Sequence, residues 1–308
     1  MLGPIFLTGG SGFVGSAVLD ALLGADYSVH ALTTRKPLER SDDRVQSFTG
    51  GLFDDAALDA GMKECTAVIH LVGIIVERPG KGITFDRIHY QGTKQVVDAA
   101  KRAGIKRYIQ MSAIGARADA PANYHRTKFL AEEYVRASGL DFTIIQPSLI
   151  HGPRGDFMKQ EAGWARGSAA PFLFMPYFGR GLLGLGGAGK LQPVFVDDVA
   201  RAFVESIDDP KKIGETFAIG GPDQMTWTQM HRMVAKTLLG HTRPVMPIPA
   251  WNAKLIATIT PAALLPFSRD QVLMSEEDNV CDLTKFVSAF GWTPRSFEET
   301  LREYSSKI

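Results

Sequence analysis

The sequence predicts a doubly wound parallel α/β sheet carrying a small, mainly helical C-terminal lobe. Three observations lead there. Short apolar runs alternate with amphipathic stretches over the first half of the chain, a glycine-rich turn follows the first run, and the alternation breaks down beyond Pro147. Strands separated by helices of ten or so residues connect through right-handed crossovers and build a parallel sheet covered on both faces.

The elements follow in order. "GPIFLT" is a short apolar strand, "GGSGFVG" a turn, and "SAVLDALLGA" a helix with apolar residues at helical spacing that stops near a glycine. "YSVHALT" alternates as a strand, and "AVIHLV" (67–72) is a buried strand. "FDRIHYQGTKQVVDAAKRAG" is a helix closing on Gly104, "KRYIQMS" a strand, "YHRTKFLAEEYVRAS" a helix and "DFTIIQ" a strand. The stretch from Trp164 to Lys190, rich in Gly, Pro and aromatics, reads as an irregular cap. "QPVFVDDVARAFVES" resumes strand and helix, with Asp197 and Asp198 favouring the helix N-terminus. "GETFAIGG" is a further strand, and the remainder is mostly helical. The expected division is a dinucleotide-binding domain of 1–150 plus about 191–220, and a substrate or cap lobe of about 151–190 and 221–308.

Composition narrows the classes of function. The chain has 308 residues, enough for a large core, and its 34 Lys and Arg nearly balance 33 Asp and Glu. No global field favours nucleic acid. The two cysteines, Cys65 and Cys281, lie far apart without CxxC spacing, and the seven histidines lack metal-ligand spacing, so neither a disulfide scaffold nor a metal site is expected. The opening "MLGPIFLTGG" enters a strand at once, which predicts no secretory leader and a cytoplasmic location. The longest uncharged apolar stretches are shorter than the roughly 20 residues of a spanning helix, so no transmembrane segment is expected.

Gly9, Gly12 and Gly15 form G-x-x-G-x-x-G between the first strand and the first helix. A helix N-terminus offers free N–H groups and a partial positive charge, and residues without side chains let a pyrophosphate approach the backbone. The second strand ends in "TTRKP": no acid stands there to read a ribose hydroxyl, and Arg35 with Lys36 can pair with a 2′-phosphate. That favours NADP over NAD. A solvated basic loop is the bland alternative.

Tyr124 and Lys128 lie four apart in a predicted helix, on one face, and Ser112 ends the preceding strand. An ammonium beside a phenol is expected to lower the phenol pKa, making Tyr124 a general acid or base. The Ser112 hydroxyl can hydrogen-bond a substrate carbonyl or alkoxide. Tyr90 and Lys94 share the spacing, but without a matching upstream serine, and are read as structural.

"TGGSGFVG", "HLVG", "QGTKQVVDAAKRAGIKRYIQMSA", "YHRTK" and "PSLIHGP" stand in this order, and "PVFVDDVARAF" and "GETFAIGG" follow. In this the chain resembles the short-chain dehydrogenase/reductase superfamily, a Rossmann-fold family, in its extended or atypical branch. With "FSRDQVLMSEEDNVCD" it is similar to the group holding the nucleotide-binding accessory subunit of respiratory complex I and its bacterial relatives. The resemblance implies that Gly9, Gly12, Phe13, Val14 and Gly15 cradle the pyrophosphate, and that Arg35 binds the NADP phosphate. By the same resemblance Leu71, Val72 and Gly73 line the adenosine side, and Pro147, Ser148 and Leu149 flank the nicotinamide. Lys128 would hold the nicotinamide ribose and tune Tyr124, which would pass a proton.

The chain departs from that pattern at His89, where an asparagine is common, and at Gly51, where an acid often contacts adenine. Gln146 and Phe195 also depart, and suggest an altered substrate side. "PFLFMPYFGRGLLGLGG" and "WNAKLIATITPAALLPF" offer a lining for a hydrophobic substrate, a surface for lipid or a protein partner, or plain core packing. The leading expectation is an NADP(H)-binding oxidoreductase acting on a small molecule, a hydrophobic carbonyl or quinone-like compound. One rival is a non-catalytic, NADPH-bound structural or assembly protein. Another is a nucleotide-sugar epimerase or dehydratase, whose substrate diphosphate would need cations such as Arg154, Arg166, Arg180 and Lys190.

Overall fold

The computed structural model describes residues 3–34, 38, 42–260, 265 and 267–308. Along the first half run β1 (Ile5–Thr8), α1 (Phe13–Gly24), β2 (Val29–Thr33), β3 (Val45–Thr49), α2 (Asp55–Met62), β4 (Ala67–His70), α3 (Gly92–Arg102), β5 (Arg107–Met111), α4 (Asn123–Arg136) and β6 (Asp141–Pro147). Then come β7 (Ile150–His151), α5 (Asp156–Arg166), β8 (Met175–Gly179), β9 (Val194–Phe195), α6 (Val196–Glu205) and β10 (Glu215–Ile219). The chain closes with α7 (Trp227–Leu239), β11 (Val245–Pro249), α8 (Ala250–Ile259), α9 (Arg269–Glu276), α10 (Thr284–Phe290) and α11 (Phe297–Tyr304).

Seven of these strands form one sheet in the order β10-β6-β5-β4-β1-β2-β3, and every pairing in it is parallel. The strand alternation explains both faces. Ile5 and Leu7 of β1, Ile69 of β4, Ile109 of β5 and Ile145 of β6 point into the core shared with α1 and α6. Their neighbours Phe6, Val68, Tyr108 and Ile144 point the other way, against α2, α3 and α4. A period of two in strands buried on both sides produces these continuous apolar runs.

The order reverses between β1 and β4, so their carboxyl ends open a crevice at the switch point, where open α/β sheets bind ligands. β3 and α2 have no counterpart in the sequence pattern. β3 is a half-exposed edge strand and so lacks a buried run, whereas α2 did carry a signal: the Asp54 side chain accepts from the Ala57 N–H at 3.1 Å as its N-cap. The helix expected over 85–104 is found, but its first part, Asp86–Gln91, is a π-helical turn running into α3. Outside the sheet, β8 pairs with β11 and β7 with β9, both parallel. The β8–β11 pair is heavy in proline, which hides it from strand patterns.

Candidate active site

β1 delivers its chain directly to the glycine turn. Gly9 has φ +79°, which a side-chain-bearing residue rarely adopts, and its carbonyl accepts the Gly12 N–H at 3.0 Å. A Cβ on Gly15 would lie 1.9 Å from the Gly9 oxygen, so only glycine lets α1 start this close to β1. Gly12 holds the N-cap position without a side-chain cap, and no acid sits in the first turn. The N-terminus of α1 therefore has neither a side-chain cap nor an acid of its own. Phe13 packs its ring against Gly152 and Gly155, and Val14 packs on the core behind it. Arg35 and Lys36 lie outside the described residues.

Across the crevice, β4 ends in His70, whose Nδ1 meets the Thr8 hydroxyl at 2.6 Å, and the chain continues as Leu71, Val72 and Gly73. Gly9 backs onto the Leu71 and Val72 backbone; a Cβ there would meet it at 3.3 Å. Gly73 faces Lys128, and a Cβ on it would lie 3.0 Å from Nζ.

Ser112 follows β5 and is 4% exposed, and its hydroxyl has no hydrogen-bond partner among the described residues. Tyr124 and Lys128 both lie on α4. Lys128 is 2% exposed and donates to the Met111 carbonyl at 3.2 Å. Tyr124 is half-buried, with the rings of Phe85, His89 and His125 edge-on at 5.8, 5.2 and 5.3 Å. Burial pushes its phenol up to about 12 and pushes the Lys128 ammonium down to about 8, opposed in the latter case by Glu132. The expected lowering of the phenol by its lysine is thus reversed in the chain alone, because burial disfavours both charged forms.

His89 bridges the two sides of the site. Its Nδ1 meets Thr127 Oγ1 at 3.0 Å, and its Nε2 lies 3.1 Å from both the Ile74 N and the Ile74 O. Burial, then the nearby Lys128 charge, keep it well below the ordinary histidine range. The remaining motif residues separate into two groups. Ser148 donates to the Gln192 carbonyl, the Leu149 N–H donates to Asn279 Oδ1 at 2.7 Å, and the Pro147 carbonyl accepts from the Ile114 N–H at 3.0 Å, so 147–149 is pinned by three segments distant in sequence. Gln146, by contrast, donates to Glu132 at 2.7 Å, and Phe195 stacks on Tyr304 in the core. Tyr90 contacts the Tyr134 ring and Lys94 lies over it, consistent with their structural reading.

Some residues around the site were not foreseen. Asp270 of α9 accepts from the Asn123 N–H at 2.6 Å and so caps the start of α4 from far along the chain. Glu277 pairs with Arg117 and lies 3.5 Å from His125, next to Tyr124. The capping box of Ser268 and Gln271 was a legible sign that α9 begins there. Of the four cations suggested for a substrate diphosphate, Arg154 pairs with Asp20, Arg166 donates to the Ile308 carbonyl and Arg180 to the Glu276 carbonyl. No cluster among the described residues could hold a metal ion.

The imbalance at Lys128 yields a stability prediction. Its folded pKa, about 8, lies below its ordinary 10.5, so between these values the unfolded chain holds a proton that the folded chain has released. Stability contributed by this group therefore rises with pH across that window, and its penalty is full below about 8. Lys128→Met is expected to stabilise the ligand-free protein at pH 7 by up to about 3 kcal/mol, the gain shrinking toward pH 10. The half-buried thiols of Cys65 and Cys281, raised to about 12 and about 11, titrate in both proteins and drop out of the difference. Urea unfolding of the pair at pH 7, 8.5 and 10 checks it; a gain that ignores pH contradicts the depressed lysine.

A seven-stranded parallel sheet that reverses its order beside a glycine turn opening the first helix defines an α/β protein of the Rossmann type. Comparison with known proteins agrees. The model of a family described as NAD(P)H-binding matches residues 9–163, and the chain belongs to that family. It is 33% identical over 175 residues to the mitochondrial NADH dehydrogenase [ubiquinone] 1 alpha subcomplex subunit 9 of Arabidopsis thaliana, covering 56% of this chain and 40% of that one. It is likewise 33% identical over 153 residues to a ceramide reductase of Caulobacter vibrioides, covering 49% of this chain and 47% of that one. The chain thus spans under half the length of these curated relatives. An NADPH-dependent quinone oxidoreductase of Escherichia coli, solved with NADPH, shares the fold over 97% of this chain and 99% of its own, at 18% identity and a TM-score of 0.73.

Proposed function

We propose that the chain is an NADP(H)-dependent reductase of a hydrophobic carbonyl or quinone-like substrate. The observation that carries this reading is the buried Ser112 hydroxyl, unpartnered among the described residues, at the sheet's ligand-binding end and next in the chain to Met111, whose carbonyl anchors Lys128. A buried hydroxyl without a partner is costly unless a ligand supplies one.

The residues fit the cofactor. Gly9, Gly12, Phe13, Val14 and Gly15 would receive the pyrophosphate, since the cradle is closed to any Cβ at Gly15 and its helix N-terminus is uncapped. Arg35 would select the 2′-phosphate and so NADP; Leu71, Val72 and Gly73 would form the wall on the adenosine side. Pro147, Ser148 and Leu149 would lie beside the nicotinamide. The bound dinucleotide supplies hydride to the substrate carbon.

The chain's own groups handle the accompanying proton. Ser112 would donate to the carbonyl oxygen, and Tyr124 would give its phenolic proton to that oxygen as it becomes an alkoxide. A phenol held near 12 is fully protonated at neutral pH, which suits the reducing direction. Lys128 would hold the ribose hydroxyls and steady the phenolate that Tyr124 leaves behind. The ceramide reductase relative supports reduction of a hydrophobic substrate. The lobe of about 151–190 and 221–308 would cover the ring, tied to the site through Asp270, Glu277 and Asn279. The prior engagement of Arg154, Arg166 and Arg180 argues against a nucleotide-sugar substrate.

The test is NADPH oxidation against a panel of quinones and long-chain carbonyls, by wild type and Tyr124→Phe. The likeness to the Arabidopsis subunit supports a second reading, an assembly protein holding NADPH without turnover. Purified protein whose bound NADPH no panel member oxidises would decide for it.

A further inference from the structure

We propose that the loop 180–187 and the outer face of α8 form a docking surface for an anionic lipid membrane. Leu182, Leu183 and Leu185 are 78%, 68% and 73% exposed, although large apolar residues normally leave water. On α8, Trp251, Leu255 and Ile259 recur every four residues and so lie along one stripe, and they are 48%, 52% and 72% exposed. The opposite face of α8 is satisfied: Ala250 and Ala253 are buried in a small core with Val272. The two elements make one surface, because Trp251 Nε1 donates to the Leu182 carbonyl at 3.1 Å and Gly184 backs onto Pro247 and Pro249. These leucines point to solvent, so they line no substrate cavity and pack in no core, two of the roles open to their sequence. Scattered exposed leucines need no explanation, but a joined stripe of six does.

Charge selects the partner. The stretches 162–196 and 224–269, to which the loop and α8 belong, hold eight of the chain's 34 Lys and Arg residues and none of its 33 carboxylates. Of the acids that approach from α9 and the chain after it, Glu276 is paired with Lys254 at 2.8 Å and Asp278 accepts from the Lys190 N–H at 2.8 Å. The rest of the chain is correspondingly acidic. An apolar ridge with a tryptophan at its edge, carried on stretches that supply cations and no carboxylates of their own, matches an anionic bilayer interface, where apolar side chains enter the acyl boundary and basic residues meet headgroups. No described helix is long and apolar enough to cross a membrane, so the contact is peripheral. This inference stands apart from the cofactor reading, since none of these residues touches the crevice groups described above.

The test is flotation of the full chain with vesicles of phosphatidylcholine alone and of phosphatidylcholine with equal phosphatidylglycerol. Binding is expected to the anionic vesicles, about tenfold or more stronger than to the neutral ones. Brominated acyl chains should quench the fluorescence of Trp251, read as the difference from Trp251→Phe. Leu183→Glu with Leu185→Glu, both at exposed positions, should remove binding while leaving the melting temperature unchanged. The proposal is overturned by absence of binding to the anionic vesicles, by equal binding to both kinds, or by binding that survives the double variant. It is equally overturned if sedimentation shows a dimer that the double variant splits, since a second copy would then cover the surface.

Discussion

Gly15→Ala is expected to destabilise the protein by about 3 kcal/mol or more and to remove its stabilisation by NADPH. The added Cβ would stand 1.9 Å from the Gly9 oxygen, 2.6 Å from its carbonyl carbon and 2.8 Å from the Gly10 Cα. All three are backbone atoms, so no rotamer change relieves the contact; the turn and α1 must separate. Overpacking alone typically costs 1–3 kcal/mol, and here the displaced turn is also the proposed anion site. Gly24→Ala provides the control in the same helix. It has open space around its Cβ position and ends α1, so alanine should be neutral or stabilise by up to about 1 kcal/mol. Thermal unfolding of both variants with and without NADPH checks the pair. A Gly15→Ala protein that melts and binds like wild type would show that α1 does not need its close approach.

Tyr124→Phe is expected to lower turnover of any substrate the panel identifies by about 10²–10⁴-fold while leaving NADPH binding within a few-fold of wild type. The separation follows from position: the phenol is enclosed by Phe85, His89 and His125, contacts a phenylalanine would keep, so the loss is confined to the proton donor. The pH profile adds a second check. With the phenol near 12, wild-type reduction should not fall through Tyr124 ionisation below about pH 10. Unchanged turnover in the variant would remove Tyr124 from the chemistry and leave the crevice as a binding site.

The crevice was readable because its requirements are local. Three glycines at fixed spacing after an apolar run can be recognised without knowing what they pack against, and the structure gives Gly9 and Gly15 the contacts that spacing implies. The same holds for Tyr124 and Lys128, whose separation is set by helix pitch alone. Long-range consequences were not readable. The direction of the Tyr124 shift depends on burial by Phe85, His89 and His125, and two of those lie some 35 or more residues upstream of it. The cap that Asp270 places on α4 comes from 147 residues away in sequence. Gln146 and Phe195 show the same limit: each stands in a recognisable motif, and the partner its side chain takes, Glu132 for the one and Tyr304 for the other, lies elsewhere in the fold. The aromatic and leucine-rich stretches could be core, lining or surface by composition, and only their exposure decides.

The most direct measurement is the melting temperature of the full chain without ligand, with NADPH and with NADH at equal concentrations. A ligand that binds only the folded form stabilises it by about 2.7 kcal/mol at a hundred times its Kd. The glycine turn from Gly9 to Gly15, together with the proposed role of Arg35, predicts a clear rise with NADPH and a smaller one with NADH. Unchanged melting with both nucleotides would contradict a dinucleotide in that crevice.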